Sequence, residues 1–464
     1  MAAVIAHQSQ ATTTAGWTEL QEASMDTDRL SYEIFSILES KFLFGYEEEK
    51  DTRNSKTVND QNPSVVELRV SAGEENIRRS KICILSIDGG GGMRGILAGK
   101  ALAYLEQSLK AKSGNPNARI ADYFDVAAGT GVGGIFTAMV FGTKDGKRGI
   151  FNADETWRFL AEQGKQMYNR EGRKRMSLLK KVFKSRSNRR RGGGGGAELG
   201  RTVKEMFGEL TLKDTLKPIL IPCYDMVSSA PFLFSKADAL KTDGFDFRLW
   251  EVCSATAAEP GVFEPVPMRS VDGQTQCLAV DGCLAMSNPT AAAITHVLHN
   301  KQEFPSVRGV EDLLVLSLGT GQILEVNYDY EKIKGWKAKQ WARPMARITG
   351  DGSAEAVDQA VAMAFGNGRR SSYVRIQANG SGGHRGEVTG MGSGEVKELV
   401  ETAEEMLKQK NVESVMFGGK KIGEESNAEK LEWFAGELVL EHQRRSCRMD
   451  PAVASKQAAL AGTW

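Results

Sequence analysis

No stretch of the 464-residue sequence approaches 18 consecutive apolar residues, so no segment is long enough to cross a bilayer as a helix. The opening residues, MAAVIAHQSQATTT, lack the charged segment and following apolar block of a secretory leader. Six cysteines, Cys83, Cys223, Cys253, Cys277, Cys283 and Cys447, form no CxxC pair and no regular framework. That pattern predicts free thiols in a reducing compartment rather than a disulfide-stapled domain. An excess of charge of either sign is missing too. Lys+Arg 60 against Asp+Glu 59 leaves a net charge of +1, which excludes the global field of a nucleic-acid binder and confines any basic surface to a local patch. No internal repeat is present. These absences together predict a cytoplasmic chain whose contact with a membrane is at most peripheral.

The composition, 41% hydrophobic and 26% charged, is that of a globular protein with a large core. Residues 27–45 place Leu30, Ile34, Ile37, Leu38 and Phe42 at helical spacing, which predicts an amphipathic helix. A linker with one strand at 65–70 follows, completing an N-terminal extension over 1–80. From Lys81 onward short apolar runs alternate with helical segments. KICILSID (81–88), YFDVAA (123–128), PILIPCY (218–224), PFLFS (231–235), CLAVD (277–281) and LLVLSL (313–318) read as strands. Helices are expected at 96–109, from Gly134, at 248–258 and at 289–300. Continuous apolar strands alternating with helices predict an α/β fold with a mostly parallel sheet covered on both faces, spanning 81–322. Residues 323–447 read as a mostly helical C-terminal part, with helices at 354–365, 394–409 and 430–445 and a strand at 373–378. Residues 448–464 read as a disordered tail. Within the core, 172–200 breaks the composition. Ten Lys or Arg lie between Arg173 and Arg191 with no acid among them, and five glycines follow at 192–196, the mark of an inserted loop.

Three glycine turns follow strands. The first, Asp88-Gly89-Gly90-Gly91-Gly92-Met93-Arg94-Gly95, separates an apolar strand from an apolar helix. Glycines there let several amide N–H groups converge on one anionic atom at a helix N-terminus. GxGxxG at 90–95 also admits a dinucleotide-binding reading, although no acid closes the next strand about 20 residues on. A purely structural tight turn is the remaining alternative. The second turn is Gly129-Thr130-Gly131-Val132-Gly133. It has the shape of a nucleophile elbow, G-x-S-x-G, in which small residues let a strained turn hold a serine oxygen over the sheet. Its middle position is Gly131, so the scaffold is present without the attacking oxygen. The third is Asp281-Gly282 after CLAVD, where an aspartate at the carboxyl end of a parallel strand can act as a general base or simply cap a turn.

Other candidates divide in the same way. His296 and His299 stand at i and i+3 on one helix without an evident third ligand, so structural or surface histidines are the simpler reading of that pair. Cys283 lies beside Asp281 and is the one sulfur near the expected site, with a buried inert thiol as its simpler reading. The basic run 173–191 reads as an anionic-membrane contact worth about 1 kcal/mol per cation, as a nuclear-localisation or nucleic-acid patch, or as a solvated loop.

Five blocks in this order, ILSIDGGGGMRGILAGKALAYLE, YFDVAAGTGVGGI, CSATAAEPGVFEPV, LAVDGCLAMSNPTAAAI and VLSLGTG, resemble the patatin-like lipid acyl hydrolases over residues 81–321. The resemblance implies a three-layer α/β sandwich with no cofactor and no metal. It implies substrates among phospholipids and galactolipids, from which fatty acids are released. It implies an oxyanion hole in the first turn, a Ser–Asp dyad with Asp281 as its aspartate, and Arg94 bracing the loop. One extra glycine leaves the oxyanion donors as Gly91 and Gly92 or as Gly90 and Gly91. Glycine at 131 resembles the plant group III patatin-like subgroup, where GxGxG replaces GxSxG. Two functions follow: a slow lipid acyl hydrolase, or a patatin-like pseudoenzyme acting as a lipid-binding scaffold. Loss of a nucleophile costs about 10⁶ in turnover in a related hydrolase. Chemistry would then need Asp281 to activate water, Thr130 to rotate in, or a serine from another loop. The first is the expected route.

Overall fold

The computed structural model of the chain describes residues 80–90, 92–168, 195–321, 330–366, 371–378, 393–415 and 419–461. The chain divides into two units, Met1–Glu75 and Asn76–Trp464. The expected helix at 27–45, the strand at 65–70, Gly91 and the basic run 173–191 lie outside the described residues.

Eight strands form the main sheet: β1 (Ile82–Ile87), β2 (Val126–Gly129), β3 (Ile219–Asp225), β4 (Ala230–Ser235), β5 (Val266–Arg269), β6 (Gln276–Val280), β7 (Leu313–Leu318) and β8 (Tyr373–Ile376). A hairpin of β9 (Lys410–Val415) and β10 (Gly419–Ser426) makes a second, two-stranded sheet. Among the described residues, helices of eight or more residues are α1 (Gly95–Ser113), α2 (Val132–Phe141), α3 (Ala153–Tyr168), α4 (Gly195–Phe207), α5 (Leu249–Thr256), α6 (Thr290–His299), α7 (Ala338–Phe365), α8 (Ser393–Lys408) and α9 (Asn427–Ala461).

Side-chain alternation explains the three layers. Leu85 and Ile87 of β1 enter one apolar cluster with Ile96, Leu102 and Phe136 of α1 and α2. Ile84, pointing to the opposite face, enters a second cluster with Val297 of α6 and Val361 of α7. Both faces of β1 are therefore covered, which is why KICILSID reads as a continuous apolar run. Helix α1 ends where Gly114 takes a left-handed φ of 68°, a conformation glycine adopts at no steric cost.

The sheet is parallel from β3 through β2, β1 and β7 to β8. PFLFS and CLAVD depart from the expected parallel pattern. Strands β4 and β6 both run antiparallel to β3. Only four residues separate β3 from β4, and a connection that short closes an antiparallel hairpin, since a parallel return needs a crossover of a dozen residues or more. YFDVAA also departs from a single strand, because Ile120–Tyr123 forms a helical turn before β2. The Asp122 carboxylate accepts the Arg119 amide there at 2.9 Å.

β6 enters in an unusual position. Tyr224 pairs with both Pro231 of β4 and Val280 of β6, so β4 and β6 lie on opposite edges of β3. Leu220 pairs with Ser235 of β4 and with Ala128 of β2. Strands β2 and β6 therefore share one edge of β3 and meet head to head. The turn after β2 and the turn after β6 are thereby forced together beside the middle of β3.

Beyond the sheet, the C-terminal part contains the helices expected there and adds the β9–β10 hairpin. Helix α9 continues to Ala461, across most of the segment read as a disordered tail. It also closes the amino end of the sheet, where the Arg445 guanidinium meets both Asp125 oxygens at 2.7 and 2.8 Å. No helix among the described residues is long and apolar enough to cross a membrane.

Candidate active site

The three glycine turns converge on one crevice. β1 and β2 pair in register through Ile87 and Gly129, so the turns that follow them start at the same level. The Thr130 amide donates to Ile87 O at 3.1 Å, and the Gly89 amide donates to Ser287 O at 3.0 Å, just past the third turn. A methyl added at Gly89 would stand 2.8 Å from Thr130 O and 2.3 Å from the Cys283 sulfur. One added at Gly282 would stand 2.3 Å from Pro222 O and 3.0 Å from Thr130 Cγ2. Gly89 and Gly282 are thus the contact points of the three turns.

The second turn has the backbone of an elbow. Gly131 takes φ 55° and ψ −125°, a strained region that favours glycine. Its amide donates to Thr256 Oγ1 at 3.0 Å. Gly129 and Gly133 flank it because a methyl at either would stand 2.3 or 2.4 Å from backbone oxygen, that of Gly133 or Ile87 respectively. Thr130 is fully buried, with its methyl toward Gly282. Gly131 carries no side chain, and Cys283 fills part of the space where one would project. A methyl at Gly131 would lie 3.3 Å from the Cys283 sulfur.

Asp281 caps the turn after β6, its carboxylate accepting the Cys283 amide at 2.9 Å. The strand it follows is antiparallel to β3, contrary to the parallel strand expected. The aspartate reaches the crevice because β6 stops beside the middle of β3. Burial pushes its carboxyl up to about 6; the hydrogen bonds from Cys283 oppose that push, and the negative charge of Glu259 adds to it. Burial and the neighbouring Asp281 charge raise the Cys283 thiol well above its ordinary value.

In the first turn, Gly90 and Gly92 take positive φ of 84° and 52°. Arg94 ties the turn to the end of β7 by donating to Gly321 O at 3.2 Å. The Thr320 hydroxyl donates to Gly89 O at 3.2 Å. Asp88, at the root of the turn, is buried and gripped by Arg375 of β8 at 2.9 and 2.5 Å. Tyr168 walls the site. A methyl at Gly92 would stand 3.2 Å from its ring, which meets Phe263 edge-on at 5.3 Å. The arrangement brings together the first glycine turn, the elbow and the turn carrying the Asp281 carboxylate, with the Tyr168 ring beside Gly92.

A family model described as patatin-like phospholipase matches residues 86–294. Patatin-like protein 6 of Arabidopsis thaliana is 65% identical over 452 residues, covering 95% of this chain and 89% of its own length. The chain belongs to the patatin-like phospholipase family. Two further patatin-like relatives bracket it. Probable inactive patatin-like protein 9 of Arabidopsis thaliana is 39% identical over 422 residues, covering 89% of this chain and 93% of its own. Patatin group D-2 of Solanum tuberosum is 29% identical over 340 residues, covering 71% and 84%.

The sequence motifs do not signal every residue that builds the site. Thr256 lies in the block CSATAAEPGVFEPV, where its tie to Gly131 leaves no sequence signal. Tyr168 ends a helix with no motif around it. Arg375 stands 287 positions from Asp88, beyond the matched region, and nothing local marks it. His296 and His299 lie elsewhere, His296 half-buried with its ring against Phe304 and His299 exposed. Five cysteines are free thiols, four of them buried and Cys283 half-buried. Among the described residues no group of three or more His, Cys, Asp or Glu converges as metal ligands would.

Proposed function

We propose that the protein is a lipid acyl hydrolase that cleaves fatty acyl esters of phospholipids and galactolipids. Asp281 acts as general base, and the amides of the first glycine turn, drawn from Gly90, Gly91 and Gly92, hold the oxyanion. The observation that carries this reading is that the turn bearing Asp281 packs, through Gly282 and Cys283, against both the Gly131 elbow and the Gly89 bend. Family membership supports the chemistry, since the matching model is described as a patatin-like phospholipase. A carboxyl raised to about 6 is ionised at neutral pH and more basic than an ordinary aspartate, as a proton acceptor in ester cleavage should be. Asp281 takes the proton of the attacking group, the carbonyl oxygen becomes an oxyanion against the amides, and the alcohol leaves with that proton.

The second reading is a lipid-binding pseudoenzyme. Glycine at 131 favours it, as does a relative 39% identical that is named probable inactive. The two readings separate when fatty acid release from vesicles of phosphatidylcholine and of galactolipid is measured for wild type and Asp281→Asn. Release by wild type that falls at least a hundredfold in the variant supports the hydrolase. Vesicle binding without release in either supports the scaffold. The basic run Arg173–Arg191 provides peripheral attachment to anionic membranes in either case. Flotation with anionic vesicles should then weaken as salt rises.

A further inference from the structure

We infer that the Cys283 thiol takes the place of the missing serine as the attacking group, with Asp281 as its base; this rests on the acyl-hydrolase reading above. The sulfur stands in the volume a side chain at the elbow would enter, 3.3 Å from a Cβ built on Gly131. On its other side it nests against Gly89, where a Cβ would come within 2.3 Å of it, so a glycine there is what lets the thiol approach the first turn. The Gly90 amide and the Asp281 carboxylate both bear on the sulfur, one from the turn proposed to hold the oxyanion and the other from the proposed base. Cys283 and Asp281 sit on a single turn closed by the Cys283 amide at 2.9 Å, which fixes their spacing. Four other cysteines, Cys83, Cys223, Cys253 and Cys277, are sealed in the core, whereas Cys283 is half-buried at the crevice. Of these five thiols it is the one beside both the elbow and the Asp281 carboxylate.

Burial and the Asp281 charge keep this group a thiol at rest, so attack requires that its proton be removed as the bond forms. Asp281 takes the proton from sulfur while Sγ bonds to the ester carbonyl carbon, and the carbonyl π pair moves to oxygen. Collapse of the oxyanion breaks the carbon–oxygen ester bond. The leaving alcohol takes the proton from Asp281, and a thioester remains on Cys283. Water then gives a proton to Asp281 as its oxygen attacks the thioester, the carbon–sulfur bond breaks, and that proton returns to sulfur. The sum is one ester and one water converted to one acid and one alcohol. A thiol is intrinsically a better nucleophile than a hydroxyl, which offsets the absence of serine at the elbow.

The test uses the purified full-length protein and p-nitrophenyl pivalate, whose hindered acyl group slows breakdown of the intermediate. Acid-quenched wild type should carry a pivaloyl group mapped to Cys283 and removed by neutral hydroxylamine. Asp281→Asn should not acquire it, and Cys283→Ala should release p-nitrophenol about a hundredfold more slowly or worse. Cys283→Ser, nearly the same size, controls for folding and should retain more turnover than Cys283→Ala. Turnover by wild type without a Cys283 adduct, and equal turnover in Cys283→Ala, overturns the inference while leaving the hydrolase reading intact, with water as the attacker. Neither adduct nor turnover in any form overturns both.

Discussion

The guanidinium of Arg375 meets both oxygens of Asp88, at 2.9 and 2.5 Å, across 287 residues of chain. Arg375 also donates to Ser317 Oγ at 2.7 Å and to Gln377 Oε1 at 2.6 Å. Burial raises the Asp88 carboxyl and the guanidinium opposes that rise. The root of the first glycine turn is thus fixed from β8, outside the region 86–294 that the family model matches.

Removing one partner of a buried pair leaves the other charge unpaired, at a cost of about 3–5 kcal/mol. Arg375→Met is therefore expected to lower the unfolding free energy by that amount in a denaturant titration. Arg375→Lys keeps the charge but loses the two-pronged grip. It should lower kcat for ester hydrolysis with little change in KM if, as proposed, the loop that moves holds the oxyanion rather than the acyl chain. An unchanged kcat in Arg375→Lys would mean that the turn keeps its shape without the clamp.

Asp281 makes a stability prediction with a definite sign. Its carboxyl lies at about 6 in the folded chain against an ordinary 3.8, so the folded state prefers the protonated form. Ionisation then costs the folded state nothing below about pH 4, increasingly more between 4 and 6, and at most about 3 kcal/mol above 6. Asp281→Asn should accordingly melt higher than wild type at pH 7 to 8, with the gap shrinking toward pH 4. A gap that grows on acidification would reverse the sign.

Gly282 marks the junction of the turns after β2 and β6. A methyl there meets Pro222 O at 2.3 Å and Thr256 Oγ1 at 2.7 Å. Gly282→Ala should lose about 1–3 kcal/mol of stability through overpacking, along with ester turnover. Gly335→Ala, where nothing lies within 4 Å, should stay within about 0.5 kcal/mol of wild type. Equal melting temperatures for the two variants would show that the junction yields.

Serine restored at the elbow faces two obstacles, the φ of 55° at Gly131 and the Cys283 sulfur 3.3 Å from the new Cβ. The backbone term costs about 1–3 kcal/mol, and the steric term disappears when the sulfur is removed. Gly131→Ser combined with Cys283→Ala should therefore hydrolyse p-nitrophenyl esters about tenfold faster or more than Cys283→Ala alone. No gain would mean the elbow holds the new oxygen away from the carbonyl.

Much of this was legible in sequence because β1 and β7 are apolar on both faces and their turns are spelled in glycine. The antiparallel course of β6 was not legible. CLAVD is apolar enough for a parallel strand, and its direction is set by pairing with β3, which no local pattern encodes. Asp281 stands at the end of an antiparallel strand, not of the parallel strand expected. The proximity of Cys283 to Gly131 depends on two strands meeting head to head, and Arg375 depends on a pairing beyond the glycine motifs. The β9–β10 hairpin went unread because KNVESV and GKKIGEES carry mostly polar residues, and their strand state comes from pairing with each other.

The most direct test is the pH dependence of kcat/KM for ester hydrolysis by the purified protein, followed from pH 4 to pH 8. With Asp281 as the base, the rate should fall on acidification with an apparent pKa near 6, and that limb should vanish with the activity in Asp281→Asn. A rate that stays level down to pH 5, or a limb near 6 that survives in Asp281→Asn, would contradict the account.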